Sequence, residues 1–100
     1  MTQSVYVMAQ IDVKDHQTYM EQYGAPVLAQ FIEAGAEVLV GSADAEILEG
    51  EWPGNWTVVV KFASSEAALQ WYNSSEYAPH KIKRIEELSN SGSVVMVPGL

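Results

Sequence analysis

Residues 4–13 alternate with a period of two. Val5, Val7, Ala9, Ile11 and Val13 fall on one face and Tyr6, Met8, Gln10 and Asp12 on the other, the pattern of a strand that turns one face to a core. The second face is neither fully polar nor fully apolar, as suits a surface that packs on another sheet or lines a pocket. The period then lengthens. Asp15 is placed to cap a helix through its carboxylate. Beyond it Met20, Tyr23, Val27, Phe31 and Ala34 recur three or four residues apart, the spacing of one helical face. Gly35 reads as the helix stop. Gly24-Ala25-Pro26 interrupts this run; proline lacks an amide hydrogen and crowds the preceding turn, which predicts a kink or two abutting helices.

Residues 36–41 read as a short apolar strand. A turn at Ser42-Ala43-Asp44 leads to a second extended segment at residues 45–49, and Glu49-Gly50-Glu51-Trp52-Pro53-Gly54 is a loop. Trp52 there either forms a lid or covers an apolar edge. Residues 55–63 give the clearest strand, with Trp56, Val58, Val60 and Phe62 on one face and Thr57, Val59 and Lys61 on the other. Ser64 or Ser65 caps a helix whose buried stripe is Ala67, Ala68, Trp71 and Tyr72. Asn73-Ser74-Ser75 breaks it. A further helix covers residues 77–87, with Pro79 in its first turn and Ile82, Ile85 and Leu88 as its buried face. Residues 89–93 read as a polar turn and 94–97 as the last strand.

The order strand, helix, strand, strand, helix pair, strand predicts an α+β, ferredoxin-like β-α-β-β-α-β domain over residues 1–100, with a four-stranded antiparallel sheet and its helices on one face. The other sheet face, to which Tyr6, Met8, Thr57, Val59 and Lys61 are assigned, carries enough apolar surface to need a cover. A second copy of the chain is the simplest one, so a homodimer is expected.

Charge narrows the partners. Five Lys and Arg stand against thirteen Asp and Glu, a formal net charge of -8, which argues against nucleic acid as a partner. The chain has no cysteine, which excludes disulfides, thiolate catalysis and cysteine-bound zinc and suits a cytoplasmic protein. No apolar run approaches a membrane span and no signal-peptide pattern opens the chain, so no membrane partner is expected.

Candidate chemistry gathers at Trp71-Tyr72-Asn73-Ser74-Ser75-Glu76-Tyr77 and the basic run that follows. Lys81, Lys83 and Arg84 are three of the five cations, and Arg84 is the only arginine. On a helix, Tyr77, His80 or Lys81, and Arg84 share one face. That face presents a phenol, an imidazole and a guanidinium to a small anionic or carbonyl-bearing molecule. Tyr77 and His80 are then the candidates to move a proton, and Arg84, Tyr72, Trp71 and Trp52 the candidates to hold the ligand. The competing reading packs Tyr77 in the core and pairs Arg84 with Glu87, Glu86 or another of the thirteen acids. His16 and His80 are the only imidazoles and show no ligand spacing, so no metal site is expected. The serines read as helix caps and the glycines form no phosphate cradle, so no cofactor is expected.

Several segments resemble the bacterial proteins grouped as domain of unknown function 1330, within the dimeric α+β-barrel superfamily. They are the tyrosine-rich first helix with its proline and Ala34-Gly35 end, Ile47-Leu48-Glu49-Gly50-Glu51-Trp52-Pro53, the strand Trp56-Thr57-Val58-Val59-Val60-Lys61-Phe62, and Ala68-Leu69-Gln70-Trp71-Tyr72-Asn73-Ser74-Ser75-Glu76-Tyr77 with Arg84 seven residues on. The resemblance covers almost the whole chain. It implies a ferredoxin-like fold and a homodimer. The wider superfamily includes cofactor-independent monooxygenases, isomerases, haem-binding enzymes and non-catalytic ligand-binding domains, among which fold alone does not choose.

Overall fold

A computed structural model describes residues 3–100. The strands are β1 (Val5–Val13), β2 (Glu37–Ser42), β3 (Trp56–Phe62) and β4 (Ser89–Pro98), and the α-helices are α1 (His16–Tyr19), α2 (Ala25–Glu33), α3 (Ser65–Tyr72) and α4 (Ala78–Lys83). All neighbouring strands run antiparallel in the order β2-β3-β1-β4, the ferredoxin-like arrangement. The central strand β1 sets the register: Val7 stands opposite Val60 on one side and Met96 on the other, and Met8 opposite Val59 and Val95. Strand alternation therefore sends Val5, Ile11, Val13, Val60 and Phe62 beneath the helices, where they are buried, and turns Met8, Val59 and Val95 to the open face.

Each helix boundary has a chemical cause. The Asp15 carboxylate accepts from the Gln17 amide at 3.1 Å and starts α1. Ser64 does the same for α3 through the Ala67 amide. At the end of α2, Gly35 adopts φ +75°. The amides of Gly35 and Ala36 then close back on the carbonyls of Ile32 and Phe31, a glycine-terminated cap that satisfies the last turn. Between α3 and α4 the Ser74 hydroxyl accepts from the Tyr77 amide at 3.1 Å and donates to the Trp71 carbonyl at 2.7 Å. One side chain thus joins the two helices and fixes where Tyr77 enters.

Pro26 lies in the first turn of α2, directly after an irregular helical turn. A π-helical turn (Met20–Gly24) links α1 to α2, and the Ala25 amide reaches back five residues to the Met20 carbonyl. This wider turn absorbs the disturbance of the missing proline amide. A second π-helical turn (Arg84–Leu88) extends α4.

Three sequence expectations are corrected. Ile82 and Ile85 are 54% and 57% exposed; Leu88 is buried as expected, and Tyr77 and Arg84 take the buried side in place of the isoleucines. Tyr77 and Arg84 lie seven residues apart on one face, and the aromatic packing of Tyr77 fixes that face inward. The predicted polar turn at residues 89–93 is the first half of β4. Its backbone stays on the β1 ladder from Gln10 opposite Ser93 to Val13 opposite Ser89, with a bulge that absorbs one residue; on an edge strand the ladder needs no apolar side chains. Residues 45–49 form no strand, and Ile47 and Leu48 project into solvent.

Asn55 extends the β1–β3 pairing by one residue. Its side chain accepts from the Val13 amide at 2.7 Å and donates to the Val13 carbonyl at 3.0 Å, standing in for a strand neighbour. Asn55→Ala orphans both part-buried groups and is expected to cost about 1–3 kcal/mol. Urea unfolding would show this as a lower midpoint at unchanged slope.

Candidate functional site

The core divides into two clusters, one around Val27, Phe31, Phe62, Trp71 and Tyr77, the other around Ile11, Val13, Tyr19 and Leu88, and Tyr23 packs against both. Between them lies a cavity of about 230 Å³, floored by the sheet and roofed by the helices. Its floor includes Val7, Ala9, Val58 and Val60, and Met20, Leu28, Val38 and Val40 rim it with partly exposed apolar side chains. Among the described residues that line it, Arg84 alone carries a charge, and Tyr19, Tyr23 and Tyr77 supply its hydroxyls.

The two π-helical turns deliver the chemistry. The first carries Tyr23 and the second opens with Arg84. Turns of this kind advance a helix by an extra residue and often mark functional positions. Tyr77 is 1% and Arg84 5% exposed. The Tyr23 and Tyr77 hydroxyls lie 2.5 Å apart, Tyr19 packs its ring 5.0 Å from that of Tyr23, and the Arg84 guanidinium lies 5.7 Å from the Tyr23 ring centroid. The Trp71 ring, 4.1 Å from the Tyr77 ring, is itself fixed by an indole hydrogen bond to Gln30 Oε1 at 3.1 Å.

Electrostatics follow from this burial. Desolvation pushes the Tyr19 and Tyr23 hydroxyls well above the ordinary phenol range, and the nearby Arg84 charge offsets only part of the rise. Burial pulls the Arg84 guanidinium the other way, but the hydroxyls of Tyr23, Tyr77 and Tyr19 outweigh it and hold its pKa above the usual arginine value. The groups acting on its charge are therefore phenols, and neither Glu86 nor Glu87 is among them. The Arg84 Nε–H has no hydrogen-bond partner although it is buried. The site is a charged guanidinium among phenol hydroxyls, facing an apolar cavity.

Of the sequence-predicted residues, the structure brings together Tyr77, Arg84 and Trp71 at the cavity. Tyr72 is half-buried behind them, its ring 5.7 Å from that of Tyr77 and covered by Lys81 Nζ at 4.5 Å from the ring centroid. His80 is half-buried in the first turn of α4 and does not line the cavity. Trp52 stands apart, donating its indole N–H to Thr57 Oγ1 at 3.0 Å, on the side of β3 opposite the helices. Tyr19 and Tyr23 were missed as site residues. Their i, i+4 spacing was visible, but Tyr23 also fits the apolar stripe of its helix and was assigned to the core. A broader groove between α2 and α3, lined by Gln30, Glu33, Gln70 and Glu76, brings no cation together with an apolar wall. Among the described residues no cluster of metal-ligating side chains occurs and no helix is long and apolar enough to cross a membrane.

Residues 4–100 match the model of the family described as Domain of unknown function (DUF1330). The chain belongs to that family. No curated protein matches it in sequence. Among solved structures, a protein of unknown function from Rhodopseudomonas palustris superposes with a TM-score of 0.78 at 11% identity, over 100% of this chain and 85% of the other. A Bacteroides thetaiotaomicron protein that carries the name of an antibiotic biosynthesis monooxygenase superposes with a TM-score of 0.59 at 18% identity, over 98% of this chain and 94% of the other. At these identities the likeness is one of fold.

The buried phenols give the protein an alkaline limit. Tyr19 and Tyr23 stay protonated in the folded state above the pH at which they ionise when unfolded, so the folded state binds more protons there. Stability is therefore unaffected by them below the ordinary phenol value of 10.0 and falls as pH rises beyond it. Phenolate absorbance followed together with far-ultraviolet dichroism should show these two ionising only as the helices melt. The double variant Tyr19→Phe, Tyr23→Phe should flatten that part of the stability profile.

Proposed function

We propose that this member of the DUF1330 family is a homodimer in which each protomer binds a small anionic or aromatic metabolite in the cavity beneath α2, with the ligand's acidic or carbonyl group on Arg84. The observation that carries the reading is the burial of Arg84 beside an apolar cavity that no carboxylate lines among the described residues. A protein selected only for stability gains little by such an arrangement, because apolar replacement of buried ions is often neutral or stabilising. One of the paired hydroxyls of Tyr77 and Tyr23 would donate to the same group, and Trp71 would hold Tyr77 in place. Tyr72 contributes from behind, as a cover over Tyr77.

A second reading makes the same cavity a cofactor-independent active site, of monooxygenase or isomerase type. The short Tyr23–Tyr77 hydroxyl contact favours it, since two hydroxyls in direct contact can pass a proton, as does the fold shared with the monooxygenase-named protein from Bacteroides thetaiotaomicron. Tyr77 would then carry the proton, with Arg84 stabilising negative charge as it develops on the substrate. His80 could enter this scheme only from outside the cavity lining.

Dimerisation rests on the open sheet face. Met8, Val59 and Val95 form one row across the three strands β3, β1 and β4, and Tyr6 and Val97 pair in the next. Val95 and Val97 are 52% and 42% exposed, a concentration of apolar surface that suits a second copy. Trp52, hydrogen-bonded to Thr57 on this face, would then sit beside the dimer contact.

Two measurements test these points. Arg84→Met keeps an unbranched, apolar stem and removes the charge; it should leave the melting temperature unchanged or raise it, while a discrete adduct expected on the wild-type protein in native mass spectrometry should be lost. A large loss of stability with any adduct retained would make Arg84 structural. Val59→Asp puts a charge at the centre of the open face and should convert the dimer to a folded monomer in sedimentation velocity. A wild-type protein that sediments as a monomer would remove the dimer from the proposal.

A further inference from the structure

We infer that the cavity selects flat monocarboxylates, aromatic or α,β-unsaturated acids without phosphate or amino groups. This deepens the binding reading above and depends on it. The charge inventory makes the first selection. Arg84 is the one cation among the described lining residues, and no carboxylate lines the cavity with it. One negative charge on a ligand is matched there. A second, as on a phosphate ester, would be taken from water with no partner, and phosphate sites normally offer several cations or converging backbone amides. An ammonium group would find repulsion from Arg84 and no anion to oppose it.

The polar head offers donors in a pattern suited to carboxylate. A guanidinium is planar and binds a carboxylate edge to edge. The orphaned Nε–H shows that the protein itself leaves this group short of acceptors. The Tyr23 and Tyr77 hydroxyls share a single proton between them, so one proton of this pair remains for the ligand. Burial keeps the Tyr19 and Tyr23 phenols neutral at ordinary pH, so they do not cancel the guanidinium's attraction for an incoming anion.

Shape makes the second selection. The cavity holds only about 230 Å³ and lies between the branched side chains Val7, Val58 and Val60 on the sheet side and the rings of Tyr23 and Trp71 on the helix side. Such a slot favours a planar body. An amino acid or a sugar acid would place polar groups against these walls with nothing to bond them.

The test is isothermal titration calorimetry of the full-length protein with four compounds of one shape: cinnamate, cinnamamide, cinnamyl phosphate and cinnamylamine. Cinnamate should bind about tenfold tighter than cinnamamide or better, as a charge-assisted pair implies, with the phosphate and the amine weaker than the amide. In Arg84→Gln the acid and the amide should bind alike. Equal binding of acid and amide to the wild type, or tightest binding of the phosphate, overturns the selectivity while leaving the cavity a binding site. Absence of heat with all four, confirmed by an unchanged melting temperature, overturns the binding reading and this inference with it.

Discussion

A guanidinium withdrawn from water without a carboxylate is the constraint to which the helical layer of this protein answers. Isolating a charge in an apolar interior is costly, and the usual remedies are an ion pair or a shift to the neutral form. Arginine does not neutralise, and among the described residues the groups that act on the Arg84 charge are the phenols of Tyr23, Tyr77 and Tyr19. Each of those phenols needs its own support: Trp71 packs against Tyr77, Gln30 fixes Trp71, and Ser74 fixes the start of the segment that bears Tyr77. The π-helical turns belong to the same arrangement, because each carries one member of the cluster at a widened turn of its helix.

The cavity beside this cluster is also expensive. Sealed and empty, a void of about 230 Å³ would forfeit on the order of 5 kcal/mol at the coefficient measured for core truncations. A domain of this size has a total stability of only about 5–15 kcal/mol. A larger side chain at Ala9, which lines the cavity from the regular strand β1, would reduce the void. Gly24 has a different part: a Cβ at that position would meet the Met20 side chain, within 3 Å of its sulfur and methyl, so the glycine leaves room for Met20 at the cavity rim.

Much of the fold was legible because backbone periodicity is a local property. The period-two runs around Val7 and Val58 and the caps at Asp15, Ser64 and Gly35 each depend on a few neighbouring residues, and all appear where the sequence places them. What failed depended on choosing between faces. In the helix that follows Tyr77, hydrophobicity nominates Ile82 and Ile85 for burial, yet the face that carries Tyr77 and Arg84 turns inward. That choice is made by Trp71, Phe31 and Tyr23, which belong to other elements and meet this helix only in the folded chain. The strand formed by residues 89–93 escaped for a related reason, since its support is the β1 ladder and not its own polar side chains.

The site itself was half legible, and the missing half has a physical explanation. Tyr77 and Arg84 announce themselves by an unusual pairing of residue types at a spacing of seven. Tyr19 and Tyr23 do not, because a tyrosine on an apolar stripe satisfies the pattern of a core residue as well as that of a site residue. Here it is both. Tyr23 packs its ring against the two core clusters while its hydroxyl meets Tyr77, so the side chain that closes the core also opens the site. An amphipathic side chain lets one position serve packing through its ring and chemistry through its oxygen. Hydropathy registers only the ring. In a small two-layer domain, where core and cavity share the same narrow space between sheet and helices, Arg84, the one buried cation among the described residues, is therefore the marker that separates them. The tyrosines around it become recognisable as a site only once Arg84 is placed among them.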